Sequence, residues 1–197
     1  MSAYNPASRP APSPEEGRSR LAMKLFLLSL GMLFAASMIG YTVIRLRTTA
    51  DVHIHLPGLL WISTAVILIS SFVIQGALSA VRDGRTAVFR RALLAGFALS
   101  LVFLAVQAPA LVQVLRDHAA LRAREVYLYA LIFFLIILHA AHVVGGLVPL
   151  GIVTLRAQRN PAAYDPQRHG PVRAVAMYWH FLDGVWIVMF LLLLALG

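Results

Sequence analysis

Five long runs of apolar residues constrain this chain more than anything else in it. Stretches near 20 residues with few charges fall at about 24–44, 57–81, 92–115, 126–155 and 174–196. Only helices and closed barrels satisfy their own backbone hydrogen bonds in lipid. These runs are continuous rather than alternating, so the predicted fold class is all-α, an integral membrane bundle of five transmembrane helices. The fourth run is long enough to tilt or to extend past the bilayer. Composition agrees: 60% of the residues are hydrophobic and 13% charged, against about 25% charged in a soluble domain.

The first 22 residues read differently. Pro6, Pro10, Pro12 and Pro14 alternate with Ser and Ala and no apolar period is visible, which predicts a disordered N-terminal tail over 1–22 and a transmembrane domain over 23–197. A secretory signal is the competing reading. The run from Leu25 to Ile44 is longer than a typical h-region of about 7–15 residues, and Arg45 and Arg47 close it, so a retained helix is expected. There is no cysteine, which excludes disulfides, thiolate metal sites and cluster ligation by this chain.

The formal net charge of +9 resembles a nucleic-acid signal, but the arginines lie between apolar runs rather than on one basic face, and no nucleic-acid partner is expected. Their distribution predicts orientation. Arg9, Arg18, Arg20 and Lys24, then Arg82, Arg85, Arg90 and Arg91, then Arg156, Arg159, Arg168 and Arg173 fall on one side of the membrane; Arg45, Arg47, Arg116, Arg122 and Arg124 fall on the other. The richer side is cytoplasmic by the positive-inside rule, so the N-terminus is expected inside and the C-terminus outside.

Polar residues within the spans mark helix contacts or a site, because lipid offers them no partner. The fourth run carries His139 and His142, three apart and therefore on one face, followed by Gly145 and Gly146. The fifth carries His180 and Asp183; the second carries Ser63, Thr64, Ser70, Ser71 and Gln75; the third carries Ser100 and Gln107, with Pro109 as an expected kink. Imidazole and carboxylate suit a metal, and histidine ligates haem. A helical His-x-x-His pair nonetheless lacks the further carboxylates of bundle di-iron sites, and no metal ligand is assigned. A structural polar cluster of His139, His142, His180 and Asp183, hydrogen-bonded as a ladder between the last two helices, is the preferred reading; a proton or ion path is the other. Tyr41, Trp61, Tyr127, Tyr129, Tyr178 and Trp179 sit near span ends and read as interface aromatics. His53, His55 and His118 fall in connections and read as solvated. No phosphate-binding loop, catalytic triad or nucleotide motif is present, so no catalytic or cofactor-binding residue is assigned.

Four elements together carry a family resemblance. The stretch YWHFLDGVWIVMF, with Tyr178, Trp179, His180, Phe181, Asp183 and Trp186, resembles the final-helix pattern of subunit III of the haem–copper oxidases. HAAHVVGG, with His139, His142, Val143, Gly145 and Gly146, resembles the element before it. LPGLLWISTAVILISS, ending at Ser70 and Ser71, and FLAVQ, ending at Gln107, resemble the two earlier ones, all in the family's order. The chain looks like the family's five-helix form. Four positions depart from the family pattern: Met38 stands where an acidic residue follows Ser37, Ile136-Ile137 where Thr-Gly precedes the first histidine, and Ala110 where an acidic residue follows the glutamine element.

The resemblance implies a non-catalytic subunit in the bacterial cytoplasmic membrane that binds no cofactor itself. Haem and copper would belong to partner subunits. The chain would dock on the catalytic subunit I and other oxidase subunits, hold phospholipid between its helices, and support proton uptake and aerobic electron transport. The alternatives are an accessory subunit of a nitric-oxide-reductase system and a small proton-coupled transporter using the same histidines.

Overall fold

A computed structural model describes residues 14–47, 58–119, 126–160 and 162–196, with the side chains at 14–16, 110, 111, 113–115, 117–119 and 126–129 left aside. The loop histidines His53 and His55, and the side chains of His118, Tyr127 and Tyr129, lie outside that description. Five helices follow in order: α1 Pro14–Arg47, α2 Leu59–Arg82, α3 Thr86–Ala119, α4 Val126–Arg159 and α5 Gly170–Leu196. All five are long and apolar enough to cross a membrane, and no strand occurs among the described residues.

Two boundaries differ from expectation in an informative way. Residues 14–22, read from sequence as tail, are the first turns of α1. Proline is tolerated in a first helical turn, so Pro14 does not bar the helix from starting there. Likewise α5 begins at Gly170 rather than near 174, so its aromatic stretch lies deeper in the helix than the apolar run alone implies. Both α3 and α4 continue through an internal proline, Pro109 and Pro149.

The helices α2, α3, α4 and α5 pack each on the next around a ring, and α1 lies in the groove between α4 and α5, touching no other helix among the described residues. The α2–α3 contact is the most extensive, and local chemistry explains why. Three residues join the two helices, and Gly84 at φ 69° supplies the left-handed residue that ends α2. Its N–H bonds Val81 O (3.2 Å) and the Arg85 N–H reaches Ala80 O (2.8 Å), the paired bonds that close a helix C-terminus over a glycine. Further along, Gly96 lets α3 ride on Ile74, where an added Cβ would lie 2.8 Å from Ile74 Cγ1.

Elsewhere side chains tie helix ends together. Arg90 Nε donates to Gln158 Oε1 (3.1 Å) and Gln158 Nε2 donates back to Arg90 O (2.9 Å), clasping α3 to α4. Arg45 Nε donates to Leu196 O (2.6 Å), joining the ends of α1 and α5. In the α4–α5 connection, Asp165 Oδ1 accepts from the N–H groups of Gln167 (2.8 Å) and Arg168 (2.7 Å), a local turn that satisfies backbone which no helix serves.

Candidate functional site around the fifth helix

The buried face of α5 presents Trp179, Leu182, Asp183 and Trp186 to the bundle. The i, i+3, i+4 and i+7 spacing of a helix puts these on one stripe, so the family-like motif is first of all a packing motif. Trp179 and Trp186 are fully buried, and Tyr41 and Tyr178 are buried as well. Reading Tyr41, Tyr178 and Trp179 as interface aromatics is therefore corrected; Trp61, 56% exposed, keeps that reading. The longer α5 bears on two of the three, since Tyr178 and Trp179 lie more than two turns inside a helix that starts at Gly170 and are on its buried face.

On one flank α5 meets α4. An added Cβ at Gly146 would lie 2.5 Å from Tyr178 Cε1, so the tyrosine ring occupies the space that a side chain would take. The Tyr178 hydroxyl donates to His142 O (2.8 Å). His139 is fully buried, its ring 5.0 Å from that of Trp186 and edge-on to Phe103 and Phe34. Gly145, next in sequence to Gly146, has open space where its Cβ would be.

On the other flank α5 meets α2 through side chains. Trp186 Nε1 donates to Thr64 Oγ1 (2.9 Å). His180 Nε2 lies 2.9 Å from Gln75 Oε1 and its Nδ1 lies 2.6 Å from Ser71 Oγ. An amide oxygen only accepts. Nε2 therefore carries the hydrogen, and in the neutral imidazole Nδ1 accepts a hydrogen bond from the Ser71 hydroxyl. The three α2 residues recur at helical spacing, which puts Thr64, Ser71 and Gln75 along one side of α2.

This arrangement overturns the expected ladder between α4 and α5. His180 bonds α2. His142 Nδ1 donates to the Leu138 carbonyl of its own helix (2.7 Å). His139 and Asp183, both buried, are not hydrogen-bonded to each other or to the other two histidines among the described residues. The physical reason is angular: Asp183 shares the tryptophan stripe, while His180, three residues earlier, projects around the helix toward α2. Nor does any group of three or more histidines and carboxylates converge as a metal site would need, among the described residues.

The other singled-out residues divide cleanly. Ser70 Oγ lies 3.3 Å from Ser100 Oγ, bridging α2 and α3, while Ser63 bonds its own helix at Leu60 O. Gln107 is buried with neither amide atom bonded, and the Trp179 indole nitrogen is also without a partner among the described residues. Sequence reasoning named Gln75 but not its pairing with His180, and it missed the Arg90–Gln158 clasp altogether. The Thr64–Ser71–Gln75 spacing was the available signal for the first; nothing local announces the second.

A second feature opens where α1 and α5 begin. A cavity of about 760 Å³ is lined by Arg20, Arg156, Arg168, Arg173 and Tyr164 together with further polar and apolar residues. Met23 and Ala174 also line an adjoining cleft of about 400 Å³, walled by Phe26, Gly145, Pro149 and Tyr178. A basic basin thus continues into an apolar slot between α1, α4 and α5.

These features define a class: a polytopic, helical membrane subunit, built by packing, with its open features at helix seams. The profile of cytochrome c oxidase subunit III matches residues 16–197. Cytochrome c oxidase subunit 3 of Synechocystis sp. is 28% identical over 176 residues, covering 85% of this chain and 71% of the relative. The Thermostichus vulcanus subunit of the same name is 28% identical over 181 residues, covering 88% and 85%. A probable cytochrome c oxidase subunit 3 of Rickettsia prowazekii is 30% identical over 138 residues, covering 70% of this chain and 48% of the relative. The chain belongs to the cytochrome c oxidase subunit III family, and so is a subunit III of a haem–copper oxidase. The nitric-oxide-reductase and transporter alternatives are not favoured.

Proposed function

We propose that this chain is the non-catalytic subunit III that docks on the haem- and copper-bearing catalytic subunit, stabilises it during turnover and supports its proton uptake. The observation that carries the reading is the family match over residues 16–197. The chain itself performs no redox step. Its contribution is a rigid membrane wall beside the partner, built from the ring of α2 to α5. With Met38 at the family's acidic position, no carboxyl between residues 24 and 45 is there to exchange a proton, so support of proton uptake acts through the assembled complex rather than through α1. Carbodiimide is expected to leave a peptide spanning 24–45 unlabelled.

Phospholipid fits the basin and slot between α1, α4 and α5. Arginines are the residue of choice for a phosphate, and the slot beside them takes an acyl chain. This supports a lipid seated with its headgroup on the basic side. The same side carries most of the chain's arginines, which supports an N-terminus in the cytoplasm and residence in a bacterial cytoplasmic membrane.

Mild purification from native membranes tests the reading. A haem-bearing catalytic subunit is expected to accompany the chain, and stripping the chain away is expected to shorten the oxidase's turnover lifetime; a chain that purifies without any haem-bearing subunit overturns the proposal. Orientation is checked separately by single cysteines, which the cysteine-free background allows: Ala162→Cys is expected to label from the cytoplasm and Gly58→Cys from outside.

A further inference from the structure

The outer side of the α2–α5 seam departs from the rest of the lipid-facing surface. On α1, the outward hydroxyls are closed on their own helix: Ser29 donates to Leu25 O, Ser37 to Leu33 O and Thr42 to Met38 O. Such groups bring no open hydrogen bond to lipid. Within the described membrane spans, the larger polar side chains Gln107, His139 and Asp183 are buried, and His142 is half-buried and bonded to its own helix. Gln75 and His180 are both exposed.

Their bond to each other satisfies His180 but not Gln75. The Gln75 oxygen accepts from His180 Nε2, and the amide nitrogen is left with two N–H groups and no acceptor among the described residues. Gln75 lies about 10 Å along α2 from Arg82, and His180 about 15 Å along α5 from Gly170, at a rise of about 1.5 Å per residue. Both therefore sit at hydrocarbon depth, where neither water nor an acyl chain offers an oxygen. The surface around them is shaped for close approach. An added Cβ at Gly76 or at Gly184 would meet nothing within 4 Å, and Phe72 stands 78% exposed beside the notch. A polar group wanting an acceptor, flanked by small residues, is the pattern by which helices associate in lipid.

We propose that this α2–α5 face is the docking surface for a transmembrane helix of a partner subunit, one presenting a carbonyl, hydroxyl or carboxylate oxygen to the Gln75 amide. The proposal rests on the reading of the chain as a member of an oxidase complex, and it specifies which face is used. A hydrogen-bond donor held in register by His180 and Ser71 selects for an acceptor at one depth, so it sets the register of docking as well as its strength. His180 acts here as a positioning residue: it holds the amide oxygen and thereby aims the N–H groups outward.

Photo-crosslinking combined with co-purification tests this. With a benzophenone amino acid at Phe72, and a control at Leu101 on exposed α3, the Phe72 product in native membranes is expected to be a defined transmembrane segment of the haem-bearing subunit, identified by mass spectrometry. Gln75→Leu is expected to lower haem retained per chain by about threefold under mild detergent washing, the equivalent of one hydrogen bond in a membrane. His180→Leu is expected to do the same, Gln75→Asn is expected to recover part of the loss, and the thermal midpoint of the separated chain serves as the folding control. Crosslinks at Phe72 to lipid alone, or haem retention unchanged in Gln75→Leu, overturn the proposal. If the wild-type chain brings no haem-bearing subunit, the oxidase reading fails instead. The Phe72 product then decides the surface by itself, an identified transmembrane segment sustaining it and lipid alone overturning it.

Discussion

The two flanks of α5 are held by different physics. Toward α4 the contact is steric: a tyrosine ring lies in the space over Gly146, and His139 is enclosed by aromatic rings without a hydrogen bond. Toward α2 the contact is polar: Trp186 bonds Thr64, and His180 bonds both Ser71 and Gln75. Without a hydrophobic drive between helices in lipid, association rests on packing and hydrogen bonds, and this chain assigns one to each side of the same helix. The difference teaches where substitutions are tolerated. Packing fails when volume is added, and a hydrogen-bonded seam fails when a partner is removed.

The sharpest way to break the contrast is to add one methyl group. Gly146→Ala puts a Cβ against the Tyr178 ring, which is rigid and itself bonded to His142 O. Overpacking of this kind costs about 1–3 kcal/mol, and unfolding in mixed micelles with increasing SDS is expected to show it. A wild-type unfolding curve would mean the α4–α5 approach is looser than the geometry states.

Removing hydrogen bonds on the α2 flank is expected to cost less. Thr64→Val keeps the shape and strips the acceptor from the Trp186 indole; about 1 kcal/mol is the expected loss, between the mean of about 0.6 and the largest values near 1.7 kcal/mol for bonds between membrane helices. Near-ultraviolet circular dichroism should report the freed indole alongside. Tyr178→Phe removes the one hydrogen bond of the packed flank among the described residues and keeps the ring over Gly146, so about 0.6 kcal/mol is expected. Should Tyr178→Phe prove more damaging than Gly146→Ala, the division into steric and polar flanks would be reversed.

Coupling between α4 and α5 is a finer probe. Since His142 bonds its own helix and is not hydrogen-bonded to Asp183, a double-mutant cycle between them is expected to couple by less than about 0.5 kcal/mol. A larger value would restore the ladder that the sequence suggested.

Much of the fold was legible because lipid simplifies the problem. Length and continuity of apolar runs place all five helices, with boundaries missed mainly at Pro14, Thr86 and Gly170, where helix continues beyond the apolar stretch. The motif residues were legible too, but their partners were not. A helical sequence shows which residues share a face and says little about which neighbouring helix that face meets. Hence His180 and Asp183, three apart, were read as one group although the helix turns one toward α2 and the other into the tryptophan stripe. The aromatic positions failed for a related reason: depth was judged from the end of the apolar run rather than from the end of the helix.

The adjacent glycines make the same point at the smallest scale. In sequence, Gly145 and Gly146 form one element, and nothing there distinguishes which of them admits a close neighbour. In the structure only Gly146 does so; Gly145 turns about 100° away around α4, toward the apolar slot beside α1, and a Cβ there would meet nothing within 4 Å. Gly145→Ala is therefore expected to change stability by no more than about 0.5 kcal/mol, in either direction, although it adds the same methyl group as Gly146→Ala one residue away. The two are compared in one SDS titration series. Equal losses from both would show that the pair acts through backbone flexibility, not through the space over each residue, and the steric account of the α4–α5 flank would fall.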